Sequence, residues 1–192
     1  MKARSFPRAL VAAALLALAS ALAHAQPYVH AQSQIAFPDE IAGVPRRGVQ
    51  DYEAQQPGLG VSVRYELMRE LRADVYVYTG GLKKVPAELT DPAIVQRRRQ
   101  TDQEIITYAK TQGADIRKTA SATQHVQTSR GLVPVFYDAY EGAYPSGPIV
   151  SYVWLWPARN HLVKIRISHP ATASDPTTVR DFVEAVVRLT DE

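Results

Sequence analysis

Apolar and polar residues alternate with a period of two along much of the chain. In "VSVRYEL", the apolar or aromatic residues Val61, Val63, Tyr65 and Leu67 alternate with polar ones. This pattern is typical of a strand with one buried and one solvated face. Further strand-like runs are "ADVYVYTGG", "LVPVFYDAYE", "IVSYVWLWPA" and "HLVKIRIS". The sequence therefore predicts a sheet built mainly from these segments.

Two segments change to a helical pattern. The first begins at Asp91-Pro92 and ends at Gly113. Asp is a favourable N-cap, Pro fits the first helical turn, and Gly suits the residue after a helix. The second begins at Asp175-Pro176, and its apolar residues recur at helical spacing. These residues are Val179, Phe182, Val183, Val186 and Val187. We expect this helix to pack its apolar stripe on one face of the sheet.

Glycine and asparagine indicate two turns. The residues "QPGL", Gln56–Leu59, match a type II turn because Pro57 presets φ and Gly58 accepts a positive φ. A phosphate-binding loop is not favoured, since a strand follows where a helix would be required. Asn160, the single asparagine of the chain, lies in "PARN" between two long strands. Asn tolerates the left-handed geometry of a tight turn, so these strands should be antiparallel.

The order of elements predicts an α+β fold. We expect a mostly antiparallel sheet of about six or seven strands, with a middle helix and a C-terminal helix packed on it. Hairpins connect the strands where an α/β protein would use crossover helices. Residues 34–192 are predicted to form one domain, and residues 26–33 a flexible lead-in.

Residues 1–25 have the pattern of a cleavable signal peptide. Three basic residues precede the apolar run "ALVAAALLALASALA" and the small-residue end "AHA". This pattern predicts cleavage between Ala25 and Gln26. The alternative is an uncleaved anchor, but the apolar run is shorter than the ~20 residues that a spanning helix needs. We therefore expect a periplasmic or secreted bacterial protein with no transmembrane segment after leader removal.

Charge gives little support for a polyanionic partner. The leader holds three of the 22 basic residues and none of the 19 acidic ones, so 19 of each remain without it. A neutral domain gives no electrostatic case for binding nucleic acid. The densest basic run, Arg97–Arg99, is either an anion-binding patch or a solvated helix face. We favour the solvated face, because successive helical residues point about 100° apart.

Residues with catalytic or metal-binding chemistry do not form a known motif. Four histidines follow the leader, His30, His125, His161 and His169. The last two lie roughly 26 Å apart along one strand at ~3.3 Å per residue, too far to share a metal ion. Ser146 lies in an ordinary turn sequence and not in a GxSxG elbow. We predict no catalytic residue, no metal site and no cofactor, while pairing of carboxylates across strands remains open.

Aromatic residues form the candidate binding surface. Six of them recur at alternate positions of predicted strands or in the hairpin between: Tyr76, Tyr78, Tyr140, Tyr152, Trp154 and Trp156. If these faces coincide, the sheet carries an aromatic wall suited to a small molecule or a protein. The favoured alternative is a core layer beneath a helix.

Hairpins, a middle helix, a strand meander and a terminal helix, on an exported chain, resemble the Mog1/PsbP-like α/β/α sandwich. The block "PGLGVSVRY…ADVYVYTGG" also resembles segments of small exported bacterial proteins without an assigned activity. Members of that fold are mostly accessory and binding proteins. The resemblance implies a non-enzymatic exported module whose partner is a periplasmic protein or a small ligand.

The alternative is a hydrolase-like periplasmic enzyme with a site that assembles only in the fold. Proximity of His125 to Asp138 or Glu141 in a pocket would favour this alternative.

Overall fold

The computed structural model describes residues 26–67, 71–173 and 176–192. The predicted leader, its last residue Ala25 and the predicted N-cap Asp175 lie outside these ranges. Gln26, on the other side of the predicted cleavage site, is the first described residue.

One antiparallel sheet carries a helix on each face. The strands are β1 Tyr28–Val29, β2 Ala36–Phe37, β3 Glu40–Ile41, β4 Val44–Asp51, β5 Val61–Leu67, β6 Leu71–Tyr78, β7 Asp115–Thr128, β8 Gly131–Tyr144, β9 Gly147–Ala158 and β10 His161–Pro170. The helices are α1 Pro92–Thr111 and α2 Pro176–Asp191. The main sheet has the order β3-β4-β5-β6-β10-β9-β8-β7, and β1 pairs separately with β2.

This architecture confirms the α+β class. The eight strands of the main sheet exceed the six or seven predicted, partly because the two-residue strand β3 extends one edge. Strand β7, rich in Thr, Ser and Ala, is fully formed over 14 residues at the other edge. Neither described helix combines the length and apolar character that crossing a membrane requires.

The segment 26–33, predicted as a flexible lead-in, contacts the rest of the fold at several residues. Tyr28 pairs with Phe37 across β1 and β2. His30 is 3% exposed, and its Nδ1 lies 2.7 Å from the Ser33 hydroxyl. The ring of His30 also contacts the ring of His161 edge-on at 5.2 Å. Burial of a polar side chain with its hydrogen bond satisfied anchors this segment to the sheet.

Strand β10 defines the two faces of the sheet. Its alternate residues Val163, Ile165 and Ile167 are fully buried on the face covered by α2. Between them, Lys164 and Arg166 point to the face covered by α1. The apolar stripe of α2 is buried as predicted, at Val179, Phe182, Val183, Val186 and Val187. Each such side chain contributes roughly 1.5–3 kcal/mol by leaving water.

The boundaries of α1 confirm the capping prediction. The Asp91 carboxylate accepts a hydrogen bond from the Ala93 N–H at 2.8 Å, and Pro92 occupies the first turn. Gly113 follows the helix with a φ of 68°. The buried side chains of α1 are Ile94, Thr101, Ile105 and Ala109.

Ion pairs bind the middle of α1 to the sheet. Arg98 donates from Nε to Asp138 Oδ2 at 2.8 Å and from Nη2 to Asp138 Oδ1 at 2.9 Å. One turn later, Asp102 Oδ1 accepts from Tyr140 OH at 3.0 Å and lies 2.9 Å from Lys118 Nζ. The contact of Arg98 with Asp138 is strong because both oxygens of the Asp138 carboxylate accept hydrogen bonds from one guanidinium.

The basic run at 97–99 therefore differs from the solvated helix face that its sequence favours. The side chain of Arg98 is 20% exposed, and that of Asp138 is 5% exposed. Arg97 donates to the Gly80 carbonyl, which ties the helix to the end of β6. Only Arg99 of the three is exposed. The run serves mainly to attach α1 to the sheet.

The glycine-containing turn binds an anion that the chain itself supplies. The Leu59 N–H donates to the Gln56 carbonyl at 3.2 Å, and Gly58 has a φ of 93°, which confirms the type II turn. The carboxylate of Glu53 accepts hydrogen bonds from the N–H groups of Gly58 at 2.9 Å and Gly60 at 2.8 Å. The backbone donors of this loop are thus already occupied.

Candidate functional site

The six aromatic residues predicted as one surface lie on opposite faces of the sheet. Tyr76 is paired with Lys164 of β10, whereas Trp154 is paired with Ile165, the next residue. Neighbouring residues of a strand point to opposite faces, so the two aromatic groups are separated by the sheet. Tyr76, Tyr78 and Tyr140 lie on the α1 face, and Tyr152, Trp154 and Trp156 lie on the α2 face. The single aromatic wall therefore does not form.

Three of the six aromatic residues belong to the core. Trp156 is 1% exposed beneath α2, where its Nε1 donates to the Thr190 hydroxyl at 3.2 Å. Tyr140 is fully buried and hydrogen-bonded to Asp102. Trp154 is 5% exposed. Because little of these rings reaches solvent, Trp156 and Tyr140 act in packing, whereas Trp154 also lines a cavity on the α2 face.

An open aromatic cleft exists on the α2 face. We define the aromatic cleft by Tyr137, Tyr152, Trp154 and His169, which line a cavity of about 530 Å³ between β8, β9, β10 and α2. Tyr137 stacks on Tyr152 with ring centroids 6.2 Å apart and lies 5.3 Å from Trp154. Tyr152 lies 5.6 Å from His169. These contacts hold the rings as one continuous surface.

Polar groups surround the rings of the aromatic cleft. Gln124 accepts a hydrogen bond from Trp154 Nε1 at 2.9 Å, and Arg180 and Glu184 of α2 form part of the lining. The hydroxyl groups of Tyr137 and Tyr152 have no hydrogen-bond partner within the described ranges and are not sealed from solvent. Burial raises the pKa of Tyr137, with the nearby Tyr152 a smaller cause. The Tyr137 hydroxyl is therefore a neutral donor, and both hydroxyls are available to a ligand.

Sequence reasoning missed Tyr137 and His169 as members of this cleft. Tyr137 was placed correctly in an alternating strand, but its pairing with Trp154 depends on the β8–β9 register. A two-residue hairpin loop at Pro145–Ser146 is the sequence signal that could have given this register. The loop decides which residues of the two strands face each other.

The second cleft lies on the α1 face and is charged. We define the cationic cleft by Lys164, Arg166, Tyr76, Glu104 and Tyr108, part of the lining of a cavity of about 570 Å³. Lys164 Nζ lies 4.6 Å from the centre of the Tyr76 ring, and Arg166 Cζ lies 5.6 Å from that of Tyr108. Burial lowers the pKa of Lys164 and raises the pKa of Tyr76 to about 12. Tyr76 is thus neutral at ordinary pH.

The residues proposed for an enzymatic site do not meet. His125 is paired with Pro134, four residues before Asp138 on β8, which places it roughly 13 Å away along the strand at ~3.3 Å per residue. Asp138 is bound to Arg98, and Glu141 is paired with Arg117 at the surface. Across the described part of the chain, no three His, Cys, Asp or Glu side chains cluster in a way that would hold a metal ion.

A structural comparison identifies a known fold. The solution structure of cyanobacterial PsbP (CyanoP) from Synechocystis sp. PCC 6803 matches with a TM-score of 0.52, covering 85% of this chain and 89% of that chain. The chain has a PsbP-like fold. The two sequences are 12% identical, so the PsbP-like likeness concerns the fold alone. No protein-family model matches the sequence, and no curated protein matches it.

Proposed function

We propose that this protein is an exported, non-enzymatic binding module whose ligand occupies the aromatic cleft. The observation that carries the proposal is the continuous surface of Tyr137, Tyr152, Trp154 and His169 beside an open cavity of about 530 Å³. Small-molecule sites are concave, mostly apolar and supplied with a few polar groups, and their volumes fall in this range. Export to the periplasm is supported by the leader pattern of residues 1–25.

The composition of the aromatic cleft favours a largely apolar, planar ligand. Stacked tyrosine rings offer flat contact area, and pairs of aromatic rings contribute about 0.5–1.5 kcal/mol beyond the area they bury. The free hydroxyls of Tyr137 and Tyr152 add directional hydrogen bonds. Arg180 and Glu184 at the rim carry opposite charges, so the cleft entrance has no strong preference for a charged ligand.

Binding of a neutral aromatic probe tests this proposal. The full chain is expressed with its own leader and purified from the periplasm, and its mass should correspond to residues 26–192. N-phenyl-1-naphthylamine, whose fluorescence rises in apolar surroundings, is then titrated. We expect saturable binding that weakens at least tenfold in Tyr152→Leu, because that variant loses ring contacts and a hydroxyl in the cleft.

The matched control is Tyr108→Leu, the same chemical change on the opposite face of the sheet, where Tyr108 is 52% exposed. Binding by this variant should equal that of the wild type. Equal weakening in both variants, or an unaltered affinity in Tyr152→Leu, would contradict the assignment of the aromatic cleft. An intact mass that begins at Met1 would contradict processing of the leader.

A further inference from the structure

The cationic cleft carries more positive than negative charge. Its lining includes Arg72, Lys164 and Arg166 against Asp74 and Glu104. Asp74 is already engaged twice, by Arg72 Nε and by Arg64 Nε, each at 3.0 Å. Of the carboxylates in the lining, Glu104 is then the one left to balance the charges of Lys164 and Arg166. An added anion would balance this charge.

Lys164 lacks a good acceptor for its ammonium group. Its nearest carboxylate oxygen, Glu104 Oε2, lies 3.9 Å from Nζ, which is beyond hydrogen-bonding distance. The side chain of Lys164 is 17% exposed, whereas that of Glu104 is 68% exposed and largely solvated. The other contacts of Nζ are the ring faces of Tyr76 at 4.6 Å and Tyr78 at 5.5 Å. A poorly solvated ammonium without an acceptor is strongly stabilised by an incoming anion.

Arg166 presents a second unengaged cation beside Lys164. The two residues are separated by one position on β10, so they share a face about 6.6 Å apart at ~3.3 Å per residue. Among the described residues, the Arg166 guanidinium has no ion pair or hydrogen bond, and its Cζ lies 5.6 Å from the centre of the Tyr108 ring. Its planar fork of N–H groups matches the two oxygens of a carboxylate.

Part of the lining of the same cavity is apolar. Ile105, Ile149 and Val153 line it together with the rings of Tyr108 and Tyr144. A free inorganic anion would leave these surfaces uncovered. A ligand that carries a charged group and an apolar body would contact both kinds of surface in the cavity of about 570 Å³.

We propose that the cationic cleft binds a small organic carboxylate with an apolar or aromatic body, its carboxylate held by Lys164 and Arg166 beneath α1. The body of the ligand lies against Tyr108, Ile149 and Val153. This site is separate from the aromatic cleft, because the sheet lies between them.

Calorimetric titration with benzoate tests the proposal, using the purified protein after expression of the full chain. Benzamide, which is similar in shape but uncharged, is the matched ligand. We expect benzoate to bind saturably and at least tenfold more tightly than benzamide and inorganic phosphate. Lys164→Met and Arg166→Gln should each weaken benzoate binding at least tenfold, because each removes a charged partner.

Two controls separate a role in binding from a role in folding. Lys164→Arg restores the charge and should recover most of the affinity that Lys164→Met loses, while circular dichroism verifies that each variant is folded. Tyr137→Leu, in the aromatic cleft, should bind benzoate like the wild type, so the two sites fail or succeed independently. Absence of saturable benzoate binding, equal binding of benzamide, equal binding of phosphate, or unaltered affinity in both cleft variants would overturn the proposal.

Discussion

Removal of the Arg98 guanidinium tests how α1 is held on the sheet. In Arg98→Met, Asp138, whose side chain is 5% exposed beside Arg98, loses two hydrogen bonds of 2.8 and 2.9 Å. Ser121 still donates to Asp138 at 2.8 Å, and Lys118 remains 3.4 Å away. Breaking a buried ion pair costs about 3–5 kcal/mol. Because these two partners remain and Arg98 is 20% exposed, we expect a smaller loss of about 2–3 kcal/mol.

The assay is urea denaturation followed by far-ultraviolet circular dichroism and by tryptophan fluorescence. Trp154 and Trp156 lie on the opposite face, so coincident transitions would show that the variant still unfolds as one unit. For a protein of this size, the expected loss corresponds to a decrease in Tm of about 5–10 °C.

The matched control is Arg117→Met. Arg117 and Glu141 also meet at 2.8 Å, but their side chains are 76% and 52% exposed. A surface pair of this kind contributes at most about 1 kcal/mol. Equal losses in Arg98→Met and Arg117→Met would refute the view that burial makes the Arg98 pair structurally important.

Two further outcomes concern the glycine turn and the buried histidines. Gly60→Ala should lower the free energy of unfolding by several kcal/mol in urea denaturation, because a Cβ would lie 1.9 Å from the Val77 carbonyl oxygen. The control is Gly43→Ala, also at positive φ but with nothing within 4 Å of a Cβ, which should lower the free energy of unfolding by only about 1–2 kcal/mol. Similar losses in the two variants would refute the steric argument. Burial, with His161 as a second cause, lowers the pKa of His30 below its ordinary 6.5. The folded state therefore binds a proton less readily than the unfolded state, so stability should fall as pH decreases below about 6.5. In His30→Gln this decrease in stability at low pH should be smaller. An identical dependence of unfolding free energy on pH in the variant and the wild type would contradict this role of His30.

Local patterns predicted most of the secondary structure because their physical causes are local. Alternation defined strands β5 and β6, and spacing defined the stripe of α2. Asn160 occupies a turn with a φ of 59°, as its tolerance for left-handed geometry indicated. Asp91 caps α1 by accepting a hydrogen bond from Ala93, only two positions away in sequence.

The site depended on contacts between distant residues. Arg98 and Asp138 are 40 positions apart, so nothing near either residue in sequence indicates the pair. The six aromatic residues do not share one face, for a related reason. Alternation shows that Tyr76 and Tyr78 share a face, but only the register with β10 shows that this face is opposite to that of Trp154.

The segment 26–33 looked loose because it is short and polar. Its contacts with the fold include His30, which is hydrogen-bonded to Ser33 and packs edge-on against the ring of His161. The middle of α1 similarly has few apolar residues, and its ion pairs attach it to the sheet instead. Polar residues that are buried with their partners are therefore the features that the hydrophobic pattern could not reveal.

Intermolecular nuclear Overhauser effects between N-phenyl-1-naphthylamine and the protein test the central claim most directly. If the aromatic cleft is the binding site, cross-peaks should connect the probe to ring protons of Tyr137 and Tyr152. Cross-peaks confined to Tyr76 or Tyr108 on the other face, or saturable binding without contacts to Tyr137 and Tyr152, would contradict it.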